Sequence, residues 1–486
     1  MRVFNTLTGR LEEFVPINDN FVGMYVCGVT VYDLCHIGHA RSAVVFDVIV
    51  RYLRYKGYKV KFVKNFTDID DKIINRANKE GVSWRQIAEK YTEEYYKDMD
   101  RLGIMRADVE PKATEHIEEM IKIVQTLIDK GFAYTVEEEE GKSVYFAVEK
   151  FPDYGKLSKK RIEELEAGAR VEVDEKKRNP LDFALWKASK QGEPWWESPW
   201  GKGRPGWHIE CSAMSLKHIG ESIDIHGGGA DLIFPHHENE IAQSEAYTGK
   251  LFAKYWLHNG FVTINREKMS KSLGNVLNIR DLLELYDAEA IRLFLISSHY
   301  RSPIEFSPEY IKEAELSLDR AYSTIMRMEE VERSAKGKKP TGMSQEIQRA
   351  LETLKTNFEE AMDEDFNTAK AVGFIFDFIK EINRFIDKKP SEEEIEIIKK
   401  SKEFLREVGS ILNILQRKPI QWYRSLLKIK KISLSEEEIE KLIEERAIAR
   451  KNKEWQRADK IRQELSAKGI ILEDWVDRTV WKVKIE

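Results

Sequence analysis

The spacing of apolar residues predicts that the first part of the chain alternates between strands and helices. The run Phe21–Gly28 is almost continuously apolar and ends in glycine, as a buried strand does. From His39 to Gly57 the apolar residues recur at helical spacing, and a final glycine is a normal helix stop. Tyr58–Phe66 then alternates and predicts a second strand. Strand, helix and strand at this spacing indicate a βαβ unit on a parallel sheet.

The same alternation returns after an interruption. Residues 84–130 have mainly helical periodicity, whereas residues 131–205 contain an acidic run, a short strand and the loop "GEPWWESPWGKGRPG", which together predict an insertion. The α/β pattern then resumes. It predicts a strand with a glycine-rich turn at Ser222–Leu232, a helix at His236–Tyr247 and the last strand at Tyr255–Ile264.

From about Ala288 onward the periodicity is helical, and the final stretch Gly469–Glu486 alternates like strands. The predicted fold is therefore a doubly wound, parallel-sheet (Rossmann-like) α/β domain with an insertion, followed by a helical bundle and a small C-terminal α/β domain. The predicted boundaries are 1–110 and 206–305 for the two halves of the α/β domain, 111–205 for a connective insertion, 306–410 for the bundle and 411–486 for the C-terminal domain.

Composition narrows the class of protein. The chain has 486 residues, of which 34% are charged, and its net charge is −5. This total gives no support for a nucleic-acid partner, so any such contact needs local basic faces. Three cysteines cannot form a disulfide framework and fit a reducing compartment. The N-terminus has no secretory apolar segment and no apolar run reaches membrane-spanning length, so we expect a soluble, cytoplasmic protein that makes no membrane contact.

Two histidines lie where the first strand passes to the first helix, in the segment His36–His39, "HIGH". A helix N-terminus presents free backbone N–H groups and a partial positive charge, which suit a phosphate. In open α/β sheets, ligands lie at the carboxyl ends of the strands. Gly38 leaves room for a flat base, and His36 and His39 can donate hydrogen bonds to phosphate oxygens. For this motif alone, two ordinary histidines at a helix start are a serious competing interpretation.

The same segment raises a second interpretation, a local metal site. Cys27, Cys35, His36 and His39 are four possible metal ligands within thirteen residues. Using all four would strain so short a segment and would remove both histidines from the phosphate site. We therefore expect Cys27 alone to belong to a metal site, with Cys35 packed under the loop.

A basic loop follows the last predicted strand of the α/β domain. It reads "KMSKS" (Lys268–Ser272), and its lysines and serines can close over a triphosphate and stabilise the charge of departing pyrophosphate. The competing interpretation is a solvated basic loop. Either motif alone is modest support for nucleotide chemistry, but the pair in this order, flanking a doubly wound pattern, is strong support.

The chain resembles the class I aminoacyl-tRNA synthetases, and within them the cysteinyl-tRNA synthetase family. The resemblance rests on "FNTLTG", "MYVCGVTVYDLCHIGHAR", "NFTDIDDKII", "RPGWHIECSAM", "DIHGGGADLIFPHHENEIAQ", "REKMSKSLGN" and "DEDFNTAKA", which run from residue 4 to about 371. It implies a cysteine–tRNA ligase that activates L-cysteine with ATP and Mg²⁺ and transfers it to tRNA(Cys). It also implies a monomer.

The resemblance further implies one Zn²⁺ per chain, held by Cys27, Cys211, His236 and Glu240. The residue types support this, because thiolate, imidazole and carboxylate are normal zinc ligands and positions i and i+4 share a helix face. From the residues alone, His237 and Glu238 compete almost equally for ligand roles. A zinc ion that binds the substrate thiolate can reject serine, whose hydroxyl is a poorer ligand.

The resemblance also implies roles for further residues. The implied catalytic residues are His36, His39, Lys268 and Lys271, and the implied ATP contacts are Thr30, Gly38, His39, Gly228, Asp231 and Lys271. The implied cysteine contacts are Gly28, Thr67 and Trp207. Close approach explains the glycines, and a ribose hydroxyl explains Asp231. A plain turn is the alternative for the glycines, and core packing is the alternative for Trp207.

The C-terminal domain is the expected anticodon-binding region. The stretch Arg446–Gly469 is rich in Lys and Arg and carries Trp455, which can stack on an unpaired base, and Asp459, which can accept from a base edge. A solvated amphipathic helix is the alternative. Two other functions stay open: a cysteine–amino-sugar ligase, which would lack residues 306–486, and a non-catalytic tRNA-binding paralogue, in which the ATP motifs would be damaged.

Overall fold

A computed structural model gives the fold and describes the chain except residues 161–163, 165–175, 265–266, 269–275, 336–339, 476–477 and 486, and the side chains of Glu267 and Lys268. In the described chain the strands are β1 (Arg2–Asn5), β2 (Arg10–Glu13), β3 (Phe21–Thr30), β4 (Lys59–Thr67), β5 (Ala133–Glu138), β6 (Gly141–Phe146), β7 (Phe183–Ala188), β8 (Gly203–Pro205), β9 (Ile223–Gly229), β10 (Ala253–Asn259), β11 (Val262–Ile264), β12 (Glu267–Lys268), β13 (Ile304–Glu305), β14 (Ile470–Asp474) and β15 (Thr479–Val483). The α-helices are α1 (Ile37–Tyr55), α2 (Asp71–Glu80), α3 (Trp84–Arg101), α4 (Ile117–Asp129), α5 (Trp207–His218), α6 (Glu238–Thr248), α7 (Ile279–Leu285), α8 (Ala288–Ile296), α9 (Pro308–Ser334), α10 (Ser344–Asp363), α11 (Thr368–Asp387), α12 (Ile395–Leu412), α13 (Pro419–Ile429), α14 (Glu436–Lys451) and α15 (Trp455–Ala467).

Four parallel strands form the central sheet, in the order β10, β9, β3, β4. The chain runs outward in both directions from the β3–β9 contact, since β4 follows β3 on one side and β10 follows β9 on the other. In open α/β sheets such a switch point leaves a crevice at the carboxyl ends of the strands, where ligands bind. The predicted doubly wound parallel sheet is confirmed, and its crevice lies where β3 and β9 end.

The glycines at the end of β9 correct one prediction. Gly227–Gly229 lie within the strand and pair with Leu257–Asn259 of β10, whereas the sequence predicted a turn there. The reason is close packing of α1 on the sheet. A Cβ on Gly227 would lie 2.4 Å from the ring of Phe46, which projects from α1, so only glycine lets the helix approach this closely.

The predicted last strand, Tyr255–Ile264, is also wrong in its extent. It divides at Gly260, where a Cβ would lie 2.4 Å from the carbonyl oxygen of Ser302. The first part, β10, completes the central sheet. The second part, β11, pairs with β12 and β13 in a separate small sheet.

The region predicted as an insertion contains a four-stranded antiparallel sheet, in the order β5, β6, β7, β8. Its tryptophan-rich loop is anchored by packing of Trp200 on Trp186 and of Trp196 on Trp84. The last strand, β8, runs almost directly into α5, so the insertion sets where α5 enters the crevice of the central sheet.

The helices α9 to α13 pack together beyond the central sheet, and the last residues form the antiparallel hairpin β14–β15 against α15. Within the part of the chain that the structure describes, no helix is long and apolar enough to cross a bilayer.

A buried ion pair fastens the helical part to the central sheet. The guanidinium of Arg292 in α8 bonds the carboxylate of Asp47 in α1, and each side chain is only 1% exposed. Arg292 Nε also donates to the carbonyl oxygen of Leu412, 2.7 Å away, at the end of α12. Asp47 further accepts from the backbone N–H of Met105 at 3.0 Å. One carboxylate therefore joins α1, α8 and the loop after α3.

Replacing this carboxylate tests that role. Asp47→Ala leaves the Arg292 charge buried and unpaired, so we expect a loss of about 3–5 kcal/mol in unfolding free energy, measured by denaturant unfolding. Asp377→Ala is the matched control, because Asp377 pairs with Lys380 on an exposed helix face and should change stability by less than about 0.5 kcal/mol. Equal stability of the two variants would show that the buried pair does not hold these helices.

Candidate active site

A cavity of about 350 Å³ lies at the carboxyl ends of β3 and β9. It is lined by residues of both strands, of the loop before α1, and of the segments after β9 and β10. The predicted site residues that line it are Cys27, Gly28, Thr30, His36, Gly38, His39, Trp207 and Asp231. The switch point of the sheet therefore brings the HIGH motif and the first predicted metal ligand to the same cavity.

The two histidines of the HIGH motif cap α1. His36 is the N-cap residue, and its Nδ1 accepts the backbone N–H of Gly38 at 3.1 Å. His39 Nδ1 accepts the backbone N–H of His36, also at 3.1 Å, and the two rings stack with their centroids 3.8 Å apart. Because each Nδ1 is an acceptor, each neutral ring carries its hydrogen on Nε2. The motif thus fixes the tautomer in which both Nε2–H groups can serve as donors to a bound anion.

The KMSKS loop falls largely outside the described residues. Lys268 is in β12, where only its backbone is described, and Lys271 lies outside the described residues. The segment that follows is hydrogen-bonded to the HIGH motif. The N–H of Ile37 donates to the carbonyl oxygen of Leu277, and the N–H of Ile279 donates to that of Cys35, both at 2.9 Å. The chain therefore leaves the KMSKS loop beside the start of α1.

Behind the cavity lies a buried cluster of possible metal ligands, Cys27, Cys211, His236 and Glu240. One ligand atom from each lies within 4.8 Å of all the others. The two sulfur atoms are 3.6 Å apart, Cys27 Sγ is 3.2 Å from Glu240 Oε1, and His236 Nε2 is 3.0 Å from the same oxygen. Two thiolates on one tetrahedral zinc with bonds of about 2.3 Å would lie about 3.7 Å apart, so the spacing fits a zinc ion.

Each ligand is placed by a different element. Cys27 lies in β3 where the pairing with β4 shifts register, and the backbone N–H of its neighbour Gly28 donates to Asn65 Oδ1 at 2.8 Å. Cys211 lies one turn into α5. His236 lies in the single π-helical turn Ile233–His237 that precedes α6, and Glu240 lies in the first turn of α6, so the α-helix begins two residues later than the sequence predicted. The two side chains still share one face, as their four-residue spacing predicted, because His236 Nε2 lies 3.0 Å from Glu240 Oε1.

A second group of buried ligands overlaps the first. Cys27, His226, His237 and Glu240 also lie within 4.8 Å of one another. We favour the first group for the metal because it contains both thiols, and soft thiolates select zinc. His226 then has a separate role: its Nε2 lies 2.8 Å from Glu240 Oε2, so it orients the carboxylate and leaves Oε1 for the metal.

Burial and neighbouring charges oppose each other in this cluster. Burial acts to raise the pKa of the Cys211 thiol, but bonding to Cys27 and the imidazole of His236 bring that pKa down to about 6. Burial acts to lower the pKa of His236, but the carboxylate of Glu240 and the Cys211 sulfur raise it to about 10. Without a metal, these interactions favour the thiolate form of Cys211 and the imidazolium form of His236. A metal ion that binds here takes the place of the imidazolium proton.

The structure also separates the competing ligand candidates. The carboxylate of Glu238 accepts backbone N–H groups of Gly155, Leu157 and Ser158, so it holds the insertion and faces away from the cluster. The local metal site at Cys27, Cys35, His36 and His39 is disfavoured, because His36 and His39 already use their Nδ1 atoms to cap α1. Cys35 is buried at 4% exposure and belongs to neither ligand group.

Three residues that the sequence predicted to contact cysteine or ATP differ in their position relative to the cavity. Trp207 is 38% exposed and stacks on His236 with centroids 4.1 Å apart, so it lies between the cavity and the cluster. Thr67 is buried behind the cavity and donates to Glu210 Oε2 at 2.8 Å. Gly228 faces His237, since a Cβ there would lie 2.9 Å from the imidazole.

In the C-terminal stretch Arg446–Gly469, Arg446 is the one basic residue that is buried, and the others are at least partly exposed. Arg446 is buried and forms a two-pronged pair with Asp474, which Arg450 also approaches. Trp455, at the start of α15, is 58% exposed, and Asp459 one turn later is also exposed. These two side chains therefore share one accessible face of α15.

Several residues in and around the site were not found from the sequence. Three residues contact the site from elements distant in the chain, and no local sequence pattern predicts them: Asn65, Glu210 and His258. Asn65 orders the bend at Gly28, and Glu210 holds Thr67. His258 is hydrogen-bonded to His237, with 2.8 Å between the ring nitrogens.

Comparison with known families agrees with this geometry. Residues 13–316 match the model described as the catalytic domain of class I (C) tRNA synthetases. Residues 357–416 match the DALR domain, and residues 435–481 match the anticodon-binding domain of cysteinyl-tRNA ligase.

Individual relatives cover the whole chain. The cysteine–tRNA ligase of Thermodesulfovibrio yellowstonii is 74% identical over 486 residues, and that of Geobacter metallireducens is 54% identical, each alignment covering 100% of both chains. Among solved structures, Mycobacterium tuberculosis methionyl-tRNA synthetase in complex with methionyl-adenylate has a TM-score of 0.62 at 16% identity, covering 86% of this chain and 94% of that one. This structural similarity shows a shared fold.

The parallel sheet, the HIGH motif at its switch point and the catalytic-domain match define a class I aminoacyl-tRNA synthetase. The resemblance predicted from the sequence motifs is thereby confirmed. With 74% identity over its full length, the chain belongs to the cysteine–tRNA ligase family, whose members are ATP-dependent aminoacyl-tRNA ligases.

Proposed function

We propose that the protein activates L-cysteine with ATP to form cysteinyl-adenylate and transfers the cysteinyl group to the 3′ end of tRNA(Cys). The observation that carries this proposal is the position of Cys27, which lines the cavity beside the HIGH motif and also belongs to the buried ligand cluster. A substrate in this cavity meets anion-binding groups on one side and a sulfur-rich metal site on the other. A thiol-bearing amino acid joined to a nucleotide phosphate matches both.

In this reaction the cysteine carboxylate attacks the α-phosphorus of ATP, and pyrophosphate leaves. A ribose hydroxyl of the terminal adenosine then attacks the adenylate carbonyl, and AMP leaves. The protein contributes position and charge. His36 and His39 donate from Nε2 to phosphate oxygens at the N-terminus of α1, and Lys268 and Lys271 neutralise the departing pyrophosphate together with Mg²⁺.

The remaining contacts divide into two groups. Thr30, Gly38 and Asp231, which line the cavity, are assigned to ATP, and Gly28 and Trp207, which also line it, are assigned to cysteine. The two predicted contacts that lie behind the cavity surface act indirectly. Gly228 leaves space for the imidazole of His237, and Thr67 donates a hydrogen bond to Glu210.

We assign Cys27, Cys211, His236 and Glu240 to one Zn²⁺ per chain. When bound, this ion supplies a ligand position that the cysteine thiolate fills far better than the harder hydroxyl of serine. Apolar packing alone distinguishes small differences between substrates by only about 1–3 kcal/mol. The stacking of Trp207 on His236 places the cluster directly behind the cavity wall, where a small amino-acid side chain can reach it.

Transfer to tRNA is favoured over the two alternative functions by specific observations. An amino-sugar ligase would need no match to an anticodon-binding domain, which residues 435–481 provide. A non-catalytic paralogue would not need the reciprocal capping of His36 and His39. The face of α15 with Trp455 and Asp459 is assigned to the anticodon. The domain boundaries, the monomeric state and the cytoplasmic location stay predictions.

The two half-reactions test this function. We expect exchange of labelled pyrophosphate into ATP that depends on cysteine, followed by charging of tRNA(Cys). Trp455→Ala should raise the KM for tRNA by the equivalent of about 1–3 kcal/mol, the worth of one stacked base. Tyr310→Ala is the control, because Tyr310 on α9 is 49% exposed but lines a surface pocket with Glu305 and Glu313, which disfavour RNA. Exchange without charging would indicate the amino-sugar ligase, and absence of exchange would indicate a binding protein.

Metal analysis of variants tests the ligand assignment. We expect about one zinc per chain in the purified protein, and loss of that zinc in Cys211→Ala because a thiolate ligand is removed. Elemental analysis gives the content, and circular dichroism checks that the variant is folded. Cys35→Ala is the matched control and should keep its zinc. Retention of zinc by Cys211→Ala together with its loss from Cys35→Ala would refute the assignment.

A further inference from the structure

Two histidines behind Cys27 form a continuous hydrogen-bonded chain that ends at Thr6. His237 Nε2 is 3.3 Å from Cys27 Sγ, and His237 Nδ1 is 2.8 Å from His258 Nε2. His258 Nδ1 is in turn 2.8 Å from the hydroxyl oxygen of Thr6. Both imidazoles are buried. We call this series, Thr6, His258, His237 and Cys27, the imidazole chain.

The chemistry at one end fixes the direction of every hydrogen bond in the imidazole chain. A metal-bound cysteine is a thiolate and can only accept, so His237 must carry its hydrogen on Nε2. Its Nδ1 is then an acceptor, which requires the hydrogen of His258 to be on Nε2. His258 Nδ1 therefore accepts from the hydroxyl of Thr6. All three bonds point toward the sulfur, and such bonds in series polarise one another.

The surrounding structure holds this arrangement in place. A Cβ on Gly228 would lie 2.9 Å from the ring of His237, so the glycine provides the space in which this imidazole lies against β9. Trp256 packs against both imidazoles, with centroids 5.3 Å from His237 and 6.4 Å from His258. The backbone N–H of Thr6 donates to the carbonyl oxygen of Trp256 at 2.9 Å, which fixes the far end of the chain.

We propose that Thr6, His258 and His237 are positioning residues for the metal ligand Cys27. The bond from His237 Nε2–H orients the thiolate and withdraws negative charge from its sulfur. A less donating Cys27 leaves the metal more able to accept a further ligand, which is the substrate thiolate under the proposed function. This inference rests on that function for its purpose, but the hydrogen bonds and their consequences for the metal can be measured without substrate.

Substitution at the two ends of the imidazole chain tests the proposal. His237→Phe removes the donor to Cys27, and His237→Gln retains an N–H near the position of Nε2. Thr6→Val removes the last donor with little change in shape, and Thr6→Ser restores a hydroxyl. The first readout is zinc affinity by competition with a chromogenic chelator. The second is the thiolate-to-metal charge-transfer absorption of the cobalt-substituted protein in the absence of cysteine and ATP.

We expect His237→Phe to weaken zinc binding by about 10–100-fold, because the Cys27 thiolate loses the partner that orients it and this loss outweighs the greater donor strength of the freed sulfur. It should also move the charge-transfer band to lower energy, because a thiolate without its hydrogen bond gives up charge more easily. Thr6→Val should move the band in the same direction by a smaller amount. His237→Gln and Thr6→Ser should return both readouts toward the wild-type values.

Two results would overturn the proposal. One is an unchanged charge-transfer band in both His237→Phe and Thr6→Val, which would reduce the imidazole chain to core packing. The other is equal behaviour of His237→Gln and His237→Phe. Failure of the proposed function is distinguishable, because a wild-type protein that binds no zinc or cobalt gives no band to compare.

Discussion

The whole site depends on the direct pairing of β3 with β9, two strands that are about 200 residues apart in the sequence. This pairing creates the switch point of the sheet and brings Cys27 beside the glycine run of β9. On its other side, β3 fits against β4 with little tolerance: a Cβ on Gly28 would lie 1.5 Å from the carbonyl oxygen of Asn65 in β4. Because glycines on both strands allow close packing here, the start of α1 and the cluster of possible metal ligands can share one cavity wall.

Under the proposed function, that shared wall explains how a small substrate can be recognised with high selectivity. Cysteine and serine differ by one atom, and shape alone gives little discrimination between such substrates. With the zinc ion that we propose, the cluster would supply a chemical difference instead, because sulfur and oxygen differ in their affinity for zinc. The buried histidines around it, His226 at Glu240 and His237 at Cys27, orient the ligands so that little reorganisation is needed on binding.

Sequence reasoning located the parts of the site that are encoded locally. The strand–helix–strand pattern placed His36 and His39 at a helix start, and the four-residue spacing placed His236 and Glu240 on one face. It could not find partners whose contacts arise only from the tertiary fold. Thr6, Asn65 and His258 approach the site from distant elements. Composition also could not show that Arg446 is used in an internal ion pair with Asp474, because that contact arises from the tertiary fold.

The glycine run Gly227–Gly229 is a second case in which the sequence alone could not show why a residue is needed. Gly227–Gly229 read as a turn because glycine is common in turns, but their role here depends on Phe46 and His237, which pack where side chains would otherwise lie. A single sequence does not reveal such neighbours. The reason for a glycine in a strand becomes visible only when the elements that press against it are known.

We propose that the substrate thiol is recognised at the cluster formed by Cys27, Cys211, His236 and Glu240. The most direct measurement is the absorption spectrum of the cobalt-substituted protein on addition of L-cysteine, with L-serine at the same concentration as the control. We expect a new thiolate charge-transfer contribution with cysteine and no change with serine. A spectrum that cysteine leaves unchanged, in cobalt protein that still catalyses cysteine-dependent pyrophosphate exchange, would contradict the proposal.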